Sequence, residues 1–373
     1  MSQIPFIDLK AQQALIRPQI INAISNVLDH GAYILGPEVK KFENDLSDFC
    51  GAKHVLGCAN GTDALQLALM AEGIGHGDYV LVPSFTFVAT AEVLPLIGAK
   101  AIFVDVDEDT YNISPEKLEM AITEAQDKNL SVKAVIAVDL FGRPADYDRI
   151  SEIAKRHNLT FIADAAQSFG ATFKGSKVGN LADYTTTSFF PAKPLGCYGD
   201  GGAIFTNDAD KMAILRSLHN HGQGEDRYDN VRVGLNSRLD SIQAAILIEK
   251  LKIFPAELES RDRIALRYNQ LLGGFCKVPS ISNDHTSAWA QYTVRVSDRD
   301  VVVRKLQELG IPTPIYYPRP IHTQAPYRDF SISESGMDVT MKLADEVFSL
   351  PMHPYLDEET QDQIVSAVKQ AVG

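Results

Sequence analysis

From about residue 55 to residue 206, short apolar or β-branched runs alternate with stretches whose apolar positions recur every three or four residues. That alternation is the pattern of a mostly parallel sheet covered by helices on both faces. It predicts strands over His54 to Cys58, Tyr79 to Val82, Ala101 to Val104, Lys133 to Val138, Thr160 to Asp164, Tyr184 to Ser188 and Ala203 to Thr206. Helical spacing falls between them, as at Asp63 to Glu72 and Pro115 to Ala125. Upstream, residues 1 to 35 suggest an arm and a first helix, and Val39 to Phe49 is amphipathic after the Gly36-Pro37 turn. Downstream, Asn236 to Ile253 holds a helical run whose segment Leu239 to Ile248 is too apolar all round for a surface helix, so it belongs between domains or subunits.

Beyond residue 255 the pattern changes to a strand at Gln291 to Val296, a helix at Asp300 to Leu309, a Pro-rich stretch from Pro312 to Pro326, and helices near Met337 to Val347 and Glu358 to Val372. The expectation is an α/β chain with an arm and large domain over 1–253 and a small α+β domain over 254–373.

Composition narrows the possible partners. With 373 residues, 45% of them hydrophobic, the chain can bury a core large enough for about two domains. A formal charge of −13 argues against a nucleic-acid partner, which needs a basic face. No stretch has the apolar length of a membrane span and the N-terminus has no leader pattern, so a cytoplasmic location is expected. Cysteines 50, 58, 197 and 276 are widely spaced, which suggests reduced structural thiols and no metal site.

Ligands of open α/β sheets bind beyond the carboxyl ends of the strands, so Cys58, Pro83, Asp139, Asp164 and Ser188 should border one crevice. Asp164 ends an apolar strand and, once buried, calls for a cationic partner. Lys193 lies between Pro191 and Pro194, ahead of Gly196, Gly199, Gly201 and Gly202, in a loop stiff enough to hold its amine in one place. An amine able to form a Schiff base and a carboxylate able to keep a pyridine nitrogen protonated are what pyridoxal 5'-phosphate asks of its protein. Gly61 and Thr62 open a helix after Asn60 and offer free N–H groups to a phosphate, to which Ser188 can add a hydroxyl. Gln167 is placed to reach the cofactor's phenolic oxygen from a helical turn, and Phe87 to stack on its ring. Taken singly, a plain N-capped helix, a capping aspartate and a core phenylalanine explain Gly61-Thr62, Asp164 and Phe87 as well.

Together with Phe6 to Lys10, Gly31 to Glu38, Asn60 to Leu65, Asp164 to Ser168, Ser188 to Gly202, Gly234 to Arg238 and Gln243 to Ala245, these residues resemble the DegT/StrS sugar-nucleotide aminotransferases of fold type I over almost the whole chain. The resemblance implies that Lys193 is the Schiff-base lysine, Asp164 the partner of the pyridine nitrogen and Gln167 the neighbour of the phenolic oxygen. It makes Gly61, Thr62 and Ser188 phosphate contacts, and Asn236 a contact to the phosphate in the neighbouring subunit, hence a homodimer with shared sites. Within the family the likeness is nearest to aminotransferases of UDP-2-acetamido-2-deoxy-3-oxo-glucuronate. This implies a UDP-linked keto sugar as acceptor, L-glutamate as donor, and a role in bacterial surface polysaccharide synthesis, lipopolysaccharide O-antigen included.

By the same likeness Gly31, Tyr33, Tyr317 and the other subunit's Arg238 contact the sugar nucleotide, and a guanidinium such as Arg238 can grip a carboxylate through two parallel hydrogen bonds. Two positions depart from the pattern. Ala192 stands where serine is usual, and Tyr316-Tyr317 replaces a His-Tyr pair, which bears on which sugar is taken. Other 3-oxo or 4-oxo nucleotide sugars are the alternative acceptors. A sugar dehydratase on the same fold would be expected to carry histidine in place of Lys193, and a non-catalytic regulator a degraded cofactor site.

Overall fold

The computed structural model describes residues 4–226, 228–282 and 284–373. The chain opens with helices α1 (Leu9–His30) and α2 (Pro37–Cys50), each closed by a glycine in the left-handed conformation, Gly31 and Gly51. The strands of the first part are β1 (His54–Cys58), β2 (Asp78–Pro83), β3 (Lys100–Val104), β4 (Ser131–Val138), β5 (Thr160–Asp164), the short hairpin β6 (Thr172–Phe173) and β7 (Ser176–Lys177), β8 (Tyr184–Ser188) and β9 (Gly202–Thr206). Between them run α3 (Gly61–Ala71), α4 (Ala89–Leu96), α5 (Pro115–Asp127) and α6 (Tyr147–Arg156), and α7 (Ala209–Leu218) follows. The last part contains α8 (Ser241–Leu272), β10 (Tyr292–Arg295), α9 (Arg299–Glu308), β11 (Ser331–Ile332), α10 (Asp338–Glu346), β12 (Val347–Leu350) and α11 (Glu358–Val372).

The main sheet has the order β1-β9-β8-β5-β4-β2-β3-β11. Its interior pairs are parallel, and only β9 runs against its neighbours β1 and β8. Both faces are dry. On one, Leu65, Leu69 and Leu215 from helices cover Leu56, Val80, Phe103 and Ile204; on the other, Leu118, Ile122 and Ile150 cover Leu81, Val135 and Phe161. Burial on two sides explains why these strands are runs of apolar or β-branched residues.

Two features differ from the expectation. The helix expected to stop at Ile253 continues to Leu272 through Pro255, so one 32-residue helix crosses the anticipated boundary. Its first half packs Ala244 and Leu247 against α2, and its last turns carry Ile264 and Tyr268 into a second core with Tyr292, Leu306, Phe348 and Ile364. Packing at both ends outweighs the one backbone hydrogen bond that proline forfeits. In addition, β11 joins the main sheet beside β3, so the C-terminal part contributes the edge strand.

Candidate active site

The sheet brings level the strand ends that were expected to border one crevice. Cys58 pairs with Gly202 and Gly202 with Ser188, while Asp164 pairs with Thr186 on one side and Val138 on the other, so these strand ends are level. Asn60 caps α3 by accepting from Asp63 N–H at 2.8 Å, which leaves Gly61 and Thr62 as the first residues of that helix. A Cβ on Gly61 would lie 2.7 Å from Ser188 Cβ, so glycine is what brings the helix start against the end of β8.

Asp164 is buried, at 8% exposure. Its Oδ1 accepts from Ala166 N–H at 3.2 Å, and its Oδ2 from the Thr90 hydroxyl at 3.3 Å. Burial pushes its carboxyl above the usual range, against the pull of the two hydrogen bonds and of the Lys193 charge. Lys193 shows the complementary behaviour: burial lowers its pKa and the Asp164 charge raises it. The loop holding it is tightly wound, with Lys193 N–H bonded to Phe190 O at 2.8 Å, Cys197 N–H to Phe189 O at 2.7 Å and Phe189 N–H to Gly201 O at 2.7 Å. Gly196 permits this, because a Cβ there would sit 2.5 Å from Pro191 O. The buried Cys197 thiol is pushed up to about 11, chiefly by desolvation, which disfavours the thiolate.

Gln167 is buried, but residues 166–170 form a turn and not the helix that was expected. Its Oε1 accepts from Phe141 N–H at 2.6 Å, and its Nε2 donates to Tyr317 Oη at 3.3 Å, so a residue assigned to the sugar touches one assigned to the cofactor. Phe87 is 51% exposed with its ring 6.2 Å from that of Tyr317, which is in turn 5.7 Å from Tyr316. Ala192 is part-buried beside Lys193. His322 is a clamp: its backbone N–H donates to Ser84 Oγ at 3.1 Å and its Nδ1 lies 2.7 Å from the same oxygen, tying the Pro-rich segment to the end of β2.

The remaining candidates stand at the rim. Gly31 and Tyr33 are exposed, as is Asn236. Buried Ser237 accepts from Ala59 N–H at 3.2 Å and so fastens this segment beside the turn at Asn60. Arg238 donates to Asn220 Oδ1 at 3.1 Å. Sequence reasoning missed Thr90, although it stands four residues after Thr86 and in contact with it at 3.3 Å, and it saw Asp139 only as a strand end.

A buried carboxylate short of a cation, a helix start stripped of side chain and a desolvated amine fit pyridoxal phosphate at its ring nitrogen, phosphate and carbonyl carbon. The DegT/DnrJ/EryC1/StrS aminotransferase family matches residues 14–369, and the chain belongs to it. A UDP-2-acetamido-2-deoxy-3-oxo-D-glucuronate aminotransferase of Pseudomonas aeruginosa is 49% identical, over 98% of this chain and 99% of its own. The crystal structure of a DegT DnrJ EryC1 StrS aminotransferase from Brucella abortus is 52% identical, with a TM-score of 0.98 over 99% of this chain and 100% of that one. NtdA from Bacillus subtilis, solved with bound cofactor PMP, is 30% identical, with a TM-score of 0.91 over 100% of this chain and 86% of that one. The protein is an aminotransferase of fold type I. No helix among the described residues is long and apolar enough to cross a membrane.

Proposed function

We propose that this enzyme transfers the amino group of L-glutamate to the keto carbon of UDP-2-acetamido-2-deoxy-3-oxo-glucuronate, as a homodimer and with pyridoxal 5'-phosphate as cofactor. The observation that carries the reading is that Lys193 and Asp164 lie near enough for the charge of each to act on the other, each with its pKa moved by burial toward the neutral form. When bound, the cofactor supplies an electron sink that makes the carbon bearing the amino group acidic.

The residues of the chain do the rest. Asp164 keeps the proton on the ring nitrogen and gains the cation that its burial demands. The N–H groups of Gly61 and Thr62 and the Ser188 hydroxyl hold the phosphate, and Gln167 the phenolic oxygen. Phe87 covers the ring. Lys193 tethers the cofactor between turnovers and moves the proton during them, a role that needs an amine whose pKa is drawn down toward neutrality. At the rim, Tyr33 and Gly31, Tyr316 and Tyr317 border the sugar nucleotide, and Arg238 of the second subunit, with Arg232 near it in sequence, suits the carboxylates of donor and acceptor. The 49% identity to the Pseudomonas enzyme supports the uronic acceptor, and Ala192 and Tyr316 mark where the sugar pocket can differ.

Absorbance tests this. Purified protein should show a visible cofactor band that glutamate abolishes and the 3-oxo uronic sugar nucleotide restores. Lys193→Ala should lose at least about a thousandfold in turnover, since it removes both tether and acid/base. Full cycling by that variant would sink the assignment.

A further inference from the structure

Asp139 follows β4 with no exposed surface, and no step proposed above uses its carboxyl. One oxygen accepts from Ala145 N–H at 2.8 Å; the other accepts from the Tyr147 hydroxyl at 2.7 Å and from the Ser168 hydroxyl. Its own backbone N–H donates to the carbonyl of Asp164 at 3.0 Å. Two residues on, Phe141 gives its N–H to Gln167, from a backbone turned to a φ of 61° and with its ring against Phe85 and Tyr111. The short segment 139–141 thus fastens Asp164 at the end of β5, and Gln167 and Ser168 in the turn that follows it, by three hydrogen bonds.

Burying an acid is costly, and burial pushes this carboxyl up to about 7 even though all three donors oppose the shift. A side chain whose only task was to fill space would carry no such cost. Nor is Asp139 remote from the chemistry, since the charge of Asp164 contributes to the same shift.

We propose that Asp139 is a positioning residue that acts through Ser168 to fix the turn presenting Asp164 and Gln167 to the cofactor. This rests on the reading of Asp164 and Gln167 as cofactor contacts, and the test separates the two. Holoenzymes of the wild type, Ser168→Ala, Tyr147→Phe and Asp164→Asn are titrated with pH at the visible cofactor band. Cofactor Kd and Tm are measured alongside.

Ser168→Ala cuts the side-chain tie to the turn, whereas Tyr147→Phe removes a donor from the same oxygen and leaves the turn tied. The expected result for Ser168→Ala is a band midpoint moved by about half a pH unit and a Kd raised about tenfold, the worth of one hydrogen bond to a charged group. Tyr147→Phe should lose a similar amount of Tm with much smaller changes in midpoint and Kd. Equal shifts in the two variants would make Asp139 merely structural, and overturn the proposal. So would no shift in Ser168→Ala while Asp164→Asn moves the band. If Asp164→Asn also leaves the band and Kd unchanged, the site reading itself fails and takes the proposal with it.

Discussion

The floor and the rim of the crevice are built on opposite principles. At the floor, Asp139, Asp164, Gln167, Ser168 and Thr187 are all buried and hydrogen-bonded within one chain. At the rim, large apolar side chains stand in the open: Tyr33, Ile34 and Leu35 are about half exposed, Tyr228 is 86% exposed and Val233 89%. The segment 33–35 adjoins the start of α8, since Ile34 bridges to Asp240 and Ser241 N–H donates to Tyr33 O at 2.9 Å, and the segment before α8 is tied to the end of α7 where Asn220 bridges to Asn236. Adjoining exposed apolar residues mark a contact surface. In the proposed dimer, the buried residues that hold Asp164 and Gln167 come from one chain, while the exposed rim is the face that a second copy would cover, bringing Asn236 to the neighbour's phosphate.

The largest effect that would break this division is complementation. If Asn236 serves the neighbour's phosphate, Asn236→Asp sets a negative charge against that phosphate and should cost more than about a hundredfold in activity. Lys193→Ala is inactive for its own reason. Mixed in equal amounts and allowed to exchange subunits, the two should recover about a quarter of wild-type activity, because half of the dimers are mixed and each has one intact site. A mixture shown by mass spectrometry to contain heterodimers yet still inactive would place Asn236 in the site of its own chain.

A smaller effect sharpens the comparison with two glycines. A Cβ on Gly61 would lie 2.7 Å from Ser188 Cβ, whereas one on Gly31 would meet nothing within 4 Å. Gly61→Ala must therefore push the start of α3 away from β8, at about 1–3 kcal/mol, and the expected result is a roughly tenfold weaker hold on the cofactor. Gly31→Ala suffers only from its φ of +69°, about 1 kcal/mol of backbone strain at the end of α1. Its cofactor Kd, measured by fluorescence titration, should match wild type. Equal losses of affinity in the two would mean that the floor is not set by the chain alone.

What was legible in the sequence follows the same division. The seven predicted strands were visible because burial on both faces makes them apolar or β-branched runs, and Lys193 and Asp164 stood out as candidates because few residue types suit a Schiff base and a pyridine nitrogen. The passage of α8 through Pro255 was hidden, since proline argues locally for a stop and only packing at both ends overrides it. The strand β11 has two residues, too few to show a period. Gln167 was expected on a helical turn, because Ala165-Ala166-Gln167 reads as helical, whereas Asp139 and Phe141 hold it in a non-helical turn. The contacts that bring Thr90 and Asp139 to the floor, to Asp164 and Ser168, span 74 and 29 residues of chain, and nothing local announces them.

The smallest expected effect concerns the pH dependence of stability, and its sign comes from the floor. Burial raises the carboxyl of Asp139 to about 7 and moves that of Asp164 in the same direction. An acid whose pKa is higher folded than unfolded holds its proton more tightly in the native state. Its contribution is therefore fully present below the unfolded value, about 4, and is lost as pH rises through the folded one. The cofactor-free protein should accordingly lose a few degrees of Tm between pH 5 and pH 8. Asp139→Asn should remove its share of that decline, which spans the interval from about 4 to about 7, and leave the share of Asp164. At the rim, Arg238→Ala removes a partner of Asn220 and no buried carboxyl, so its slope should match wild type. Calorimetry at fixed ionic strength would decide it: a decline as steep in Asp139→Asn as in wild type would mean that Asp139 is ionised throughout, its three donors having overcome its burial.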